Sequence, residues 1–134
     1  MKKVFKLIIF VAFIAIVQSS CQDESTNPET LIGTWTCTEA ESPNSVPNPY
    51  FVYIEKSEID SSVYLIGNYS NLGAATAVKA KLNGNTFTIL SQQFTDGSAM
   101  FTTQGEGTVS NNTRRIDLSY LLDGDEVNAV LTKK

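Results

Sequence analysis

From Leu31 onward, apolar residues recur at every second position, and polar runs punctuate them at regular intervals. Ile32 to Glu39 sets Trp35 and Cys37 on one face of a strand. Strands follow at Tyr50 to Lys56 and at Val63 to Tyr69. In Ala77 to Leu82, Val78, Ala80 and Leu82 point inward while Lys79 and Lys81 stay in water. Asn83-Gly84 is expected to supply the two positive-φ positions of a tight hairpin, after which Phe87 and Ile89 alternate with Thr86 and Thr88. Asp96-Gly97 turns into a strand from Ser98 towards Val109, and Gly105-Glu106-Gly107 marks a bulge or a sharp bend within it. Asn111-Asn112 turns into Arg114 to Leu121, with Ile116, Leu118 and Tyr120 on one face, and Asp123-Gly124-Asp125 turns into Val127 to Leu131. No stretch after residue 31 carries a helical period.

Evenly spaced turns joining neighbouring segments predict an all-β fold, an antiparallel meander of about eight strands. One face of each strand is apolar, so the sheet must close into a small barrel or fold over as a β-sandwich. The expected core is Trp35, Ile54, Leu65, Leu82, Phe87, Ile89, Leu118 and Leu131. Eight strands of about seven residues place roughly 28 side chains inside such a barrel, which is just wide enough to be packed by them. Trp35, Phe87, Met100 and Tyr120 are large enough to fill it, which directs any binding to a rim or an outer face. The proline-rich stretch 42–49 is the longest internal loop, either a carrier of binding residues or an irregular connection. With the exposed tyrosines it is the expected contact surface for a protein or glycan partner.

The first residues follow a different pattern. Lys2, Lys3 and Lys6 precede an unbroken apolar run, Leu7 to Val17, and small Ser19-Ser20 precede Cys21. That order is a secretory signal peptide over 1–20. The run is shorter than the roughly 20 residues a membrane-spanning helix needs. Residues 21–30, polar and containing Pro28, read as a tether, and 31–134 as a single β domain. Removing the three signal lysines leaves 7 of the 10 Lys and Arg against 14 Asp and Glu, a net charge of −7 rather than −4. Such a surface repels phosphate backbones, so no nucleic-acid partner is expected.

Candidate chemistry is sparse. The chain has no histidine, and Cys21 and Cys37 are its two cysteines. No cofactor and no zinc, copper or haem site of ordinary ligand type is expected, and Cys37, without a histidine to act as its base, reads as a buried structural thiol. Asp123 to Glu126 has part of a calcium-loop spacing but reads as a hairpin turn. Glu39, Glu41, Glu55, Glu58 and Asp60 cannot be placed in one cleft from sequence, and no catalytic residue is assigned. The chain is not expected to be an enzyme.

Val17-Gln18-Ser19-Ser20-Cys21 resembles the bacterial lipoprotein signal, departing from it at Gln18. The resemblance implies that Cys21 is the lipid attachment residue, carrying acyl chains of the palmitate kind that anchor the chain in a membrane. Gln22-Asp23-Glu24 resembles the acidic tag of Bacteroidota lipoproteins exported to the cell surface, although the same residues suit a solvated tether. Gly33-Thr34-Trp35 resembles the opening signature of lipocalin-like proteins, whose Trp plugs one end of the barrel. Residues 31–134 as a whole are similar to small lipocalin-like lipoproteins of Bacteroidota, as are the patches Asn68 to Gly73 and Thr88 to Gln93. Lipocalins pack an Arg from the last strands over that Trp; residues 126–132 contain none, which leaves Arg114 or Arg115 to take the role from one strand earlier. The resemblance implies a lipid-anchored outer-membrane protein, exposed at the cell surface, that displays a small barrel for ligand or protein binding. The alternative is a structural or accessory subunit of an outer-membrane complex with no small-molecule site.

Overall fold

Eight antiparallel strands close into a barrel in sequence order, with β8 pairing back to β1. The computed structural model describes residues 28–40, 48–110 and 112–134. The signal segment 1–20, Cys21, the segment Gln22-Asp23-Glu24 and loop residues 42–47 lie outside them. The strands are β1 Gly33–Glu39, β2 Tyr50–Lys56, β3 Val63–Gly67, β4 Val78–Asn83, β5 Thr86–Thr95, β6 Met100–Ser110, β7 Arg115–Leu122 and β8 Asp125–Lys133. This is the up-and-down, lipocalin-like alternative; the five-residue β1–β8 ladder from Trp35↔Lys133 to Glu39↔Ala129 excludes the sandwich. Closure leaves no unpaired sheet edge.

Alternation fixes the faces, and the core contains Trp35, Ile54, Phe87, Ile89, Leu118 and Leu131, each at most 5% exposed. Two expected core residues differ. Leu82 is half-buried at the β4–β5 hairpin, and Leu65 faces outward. Both rows of β3 are apolar, so periodicity cannot choose between them. Pairing with β4 chooses: Tyr64 and Ile66 lie opposite inward-facing Ala80 and Val78, while Leu65 lies opposite Lys79. Met100 is likewise out of phase and 63% exposed, because Thr103, Gly105 and Gly107 supply the inward row of β6.

The β4–β5 hairpin is shifted by one residue from expectation. Asn83 pairs with Thr86, the two-residue loop is Gly84-Asn85, and of these only Gly84 has positive φ. That is the hairpin whose first central position demands glycine. The β7–β8 turn is the other form, with Asp123 and Gly124 both at positive φ. Strand β3 stops at Gly67; Asn68 takes a left-handed conformation and Tyr69–Asn71 form a short 3-10 turn.

The bend expected at Gly105-Glu106-Gly107 falls elsewhere. Strand β6 runs unbroken through the glycines, and the bulge is on β5, where Leu90 and Ser91 together face Gln104. The Gln92 side chain repairs the ladder there. Its Oε1 accepts from Lys79 N at 2.9 Å and its Nε2 donates to Lys79 O at 2.8 Å, the bonds a neighbouring strand would make. The glycines serve a close approach: a Cβ on Gly105 would lie 2.5 Å from Ser119 O and from Tyr120 Cβ, and one on Gly107 would lie 2.8 Å from Asp117 O. Each glycine sits between large inward side chains, Gly105 between Ile89 and Tyr120, Gly107 between Phe87 and Leu118.

One end of the barrel is shut. Pro28–Leu31 is a single helical turn across it, so residues 28–30, read from sequence as the end of the tether, are helical. Leu31 is fully buried, and Trp35 Nε1 donates to Leu31 O at 2.9 Å. Over the Trp35 ring, 5.3 Å from its centre, lies the ammonium of Lys133, which also donates to Ile32 O at 2.8 Å and to Thr30 O. Lys133 thus takes the place expected of Arg114 or Arg115. Arg115 is instead exposed and bound to Asp117 at 2.6 Å, and Arg114 is exposed. The geometric reason is the register, since Lys133 is the β8 partner of Trp35 itself.

Candidate functional site at the open end of the barrel

The opposite end carries the loop between β1 and β2, the segment 68–77, and the hairpins at 96–99 and 123–124. Glu39 closes the inward row of β1 after Trp35 and Cys37, and Tyr50 begins β2 opposite Cys37. Tyr120 comes from the inward row of β7, and Ser70 from the 3-10 turn. These four meet at one carboxylate oxygen. Glu39 Oε1 accepts from Tyr50 OH, from Tyr120 OH at 2.7 Å and from Ser70 Oγ at 3.4 Å, and Tyr120 Oη lies 3.1 Å from Ser70 Oγ.

A second chain of hydroxyls lies beside it. Thr103 Oγ1 donates to Leu121 O at 2.8 Å, which leaves Tyr69 OH to donate to Thr103 Oγ1, also at 2.8 Å. The Tyr69 ring packs against Tyr120, with centres 4.8 Å apart, and edge-on against Phe94, which stacks on Phe101. The buried hydroxyls are therefore paired, as buried polar groups must be to avoid a large desolvation cost.

The 68–77 segment is locked over this ring. Asn68, Ser70 and Asn71 all have positive φ near 50°, a region costly for residues other than glycine. Side chains hold them there: Asn68 Nδ2 donates to Phe51 O at 2.7 Å, Asn68 Oδ1 accepts from Gly73 N at 2.9 Å, and Thr76 Oγ1 accepts from Tyr69 N at 2.9 Å. The patch Asn68 to Gly73, singled out in the sequence, is thus the strained turn that delivers Ser70 to Glu39.

Protonation follows burial. Desolvation pushes the Tyr50, Tyr69 and Tyr120 hydroxyls well above the ordinary phenol range, so they act as donors and not as phenolates. It pushes the Cys37 thiol up to about 11, against a weaker lowering by its hydrogen bond with Tyr50. Cys37, 3% exposed, is thereby the buried thiol the sequence indicated. The arrangement holds a hydroxyl ring in place at the rim.

Beneath the ring the described residues pack the barrel with buried side chains, among them Ile66, Phe87, Ile89, Leu118 and Leu131. The space among Cys37, Tyr50, Ile66, Tyr69, Leu118 and Tyr120 amounts to about 10 Å³, near the room one water needs. Larger depressions lie on the outer face of β5 to β8 and β1, one of them about 530 Å³ and lined by Thr38, Glu106, Thr108, Asp117, Ser119 and Asn128. Of the five tyrosines, only Tyr53, at 45%, is exposed. Among the other carboxylates weighed from sequence, Glu55, Glu58 and Asp60 are exposed on and after β2, away from Glu39, and Glu41 lies outside the described residues. Asp123, considered for calcium, instead receives Thr102 N at 2.7 Å and pins its hairpin to β6. The sequence placed Tyr120 among the residues filling the barrel and gave Glu39, Tyr50 and Ser70 no site role; the inward parity of 35, 37 and 39 was the available signal. No family model, curated protein or solved structure matches the chain.

Proposed function

We propose that this chain is a non-enzymatic, lipid-anchored protein of the bacterial cell envelope, a lipocalin-like lipoprotein of the Bacteroidota type. It is held by acylated Cys21 in the outer membrane, exposed at the cell surface, and binds a protein or glycan partner through the rim and outer face of its barrel. The observation that carries surface binding is the filled interior, with about 10 Å³ where a calyx would need some 300–1,000 Å³ for a small ligand. The rim around Glu39 supports it because its internal hydrogen bonds hold it in one arrangement, so a partner meets a surface with little further ordering cost. Titration with an environment-sensitive fatty-acid probe tests the claim. No saturable uptake is expected, and micromolar binding displaced by natural lipids would refute it.

The anchor is tested separately. Cys21→Ala should leave the chain unprocessed or free of the membrane, and a mature-sized variant still fractionating with membranes would overturn acylation. Protease added to intact cells should remove the domain; complete protection until the outer membrane is opened would place it on the inner face. The same filled interior favours, as a second reading, an accessory subunit of an outer-membrane complex. Stoichiometric cross-linking to one integral membrane protein in intact cells would select it.

A further inference from the structure

The two ends of the barrel differ in charge, in apolar exposure and in where the chain enters. Six of the 7 Lys and Arg beyond the signal segment, Lys56, Lys81, Arg114, Arg115, Lys133 and Lys134, lie at or near the Trp35 end. Acids are interspersed there: Asp117 neutralises Arg115, and Glu55, Glu58 and Asp60 lie in or beside the β2–β3 connection. The opposite rim is acidic, with Asp96, Asp123, Asp125 and Glu126 in or beside hairpins that contain no Lys or Arg. Ile59, 98% exposed, projects from the β2–β3 connection at the Trp35 end, and Ile32, 40% exposed, lies at the same end. An isoleucine left wholly in water at a loop tip gains nothing for the fold.

The chain enters at that end too. Cys21 precedes Pro28 by seven residues, which span at most about 25 Å when fully extended. A strand of seven residues such as β1 is itself roughly 23 Å long. To stand the barrel on its acidic rim, the connection would have to run almost fully extended along the barrel wall. It would also press at least four carboxylates against anionic headgroups.

We propose that the Trp35 end rests on an anionic lipid surface, with Ile59 at the headgroup boundary and Lys56, Arg114 and Lys134 at the same end, while the Glu39 rim points away. The inference builds on acylation of Cys21. It makes the rim, and not the Trp35 plug, the end presented to a partner.

The acylated full chain, reconstituted in vesicles containing phosphatidylglycerol, provides the test. An environment-sensitive fluorophore is attached through Ile59→Cys or through Ser98→Cys at the tip of the rim hairpin; both positions are exposed. Cys37 is buried and does not compete for label. Spin-labelled lipids should quench the probe at position 59 several-fold more than the probe at position 98. Equal quenching, or stronger quenching at position 98, overturns the orientation. The mass of the N-terminal peptide from the same sample separates the two levels of failure. An unmodified Cys21 overturns the anchor and the orientation together, whereas an acylated Cys21 with reversed quenching overturns the orientation alone.

Discussion

Replacing Gly105 with alanine isolates what the paired glycines of β6 are for. Gly105 has no positive φ, so its backbone conformation suits alanine, which on its own should stabilise by about 0.4–1 kcal/mol through a less disordered unfolded chain. Space decides against it. The added Cβ would stand 2.5 Å from Ser119 O, 2.5 Å from Tyr120 Cβ and 2.6 Å from Tyr120 Cα, where carbon atoms ordinarily approach to about 3.5–4.0 Å. Relief requires β6 and β7 to part by roughly 1 Å along a ladder of eight paired residues, and those contacts are to backbone and Cβ atoms, which cannot swing aside. Overpacking of this kind costs about 1–3 kcal/mol or more, so a net loss near 2 kcal/mol is expected, a melting point lower by roughly 10 °C for a domain of this size. Urea unfolding followed by the fluorescence of Trp35, the chain's one tryptophan and fully buried, measures it. Gly124→Ala is the control, with open space around the new Cβ but φ at +89°, and should cost less than Gly105→Ala. A Gly105→Ala protein within about 0.5 kcal/mol of the parent, or a costlier Gly124→Ala, would refute the reasoning and return the glycines to a role in bending the strand.

Three further outcomes are expected. Lys133→Met removes the donor to Ile32 O and Thr30 O and the cation over Trp35, and should destabilise by about 1–3 kcal/mol while raising hydrogen exchange in residues 30–33; unchanged exchange there would contradict the capping role. Glu39→Gln keeps the shape but weakens the charge-assisted bonds from Tyr50 and Tyr120, at a cost of about 1–2 kcal/mol, and Ser70→Ala should add little to it because both act on one oxygen; full additivity in a double-mutant cycle would sink the shared-acceptor geometry. The Cys37 thiol is raised by burial from 9.0 to about 11, so its contribution to stability is whole below pH 9 and is lost as pH climbs towards 11, at up to about 1.4 kcal/mol per pH unit. Cys37→Ala should flatten that part of the stability profile between pH 9 and 11, and an unchanged slope would count against the shift.

The strands were legible because their inward and outward rows differ in polarity. Where that contrast is present, as in β4 with Val78 and Ala80 against Lys79 and Lys81, the face could be assigned from sequence. Where it is missing, as in β3, only the neighbour's register settles whether Tyr64 or Leu65 turns inward. Met100 misled for a related reason, since a large apolar side chain near a strand terminus need not share the row of the residues that follow it. The plug over Trp35 was expected to be an arginine, and the register places there a lysine one residue past 126–132. The Glu39 ring was not legible at all. Residues 39, 50, 70 and 120 converge only once the barrel has closed, and no local pattern encodes a meeting across that separation.

The ladder that makes the barrel seamless also sets a timetable. Strand β1 meets β2 across a single loop, but its other edge waits for β8, and the pair Trp35↔Lys133 closes a loop of nearly the whole domain. Bringing such distant segments together costs roughly 4 kcal/mol of chain entropy before any side chain is rewarded. As the polypeptide emerges from its N-terminus, the seven earlier ladders can assemble hairpin by hairpin, while the outer edges of β1 and β8 stay exposed to any passing strand. In that order, the closing step seats Lys133 over Trp35, and completing the C-terminal strand both seals the edge and locks the plug.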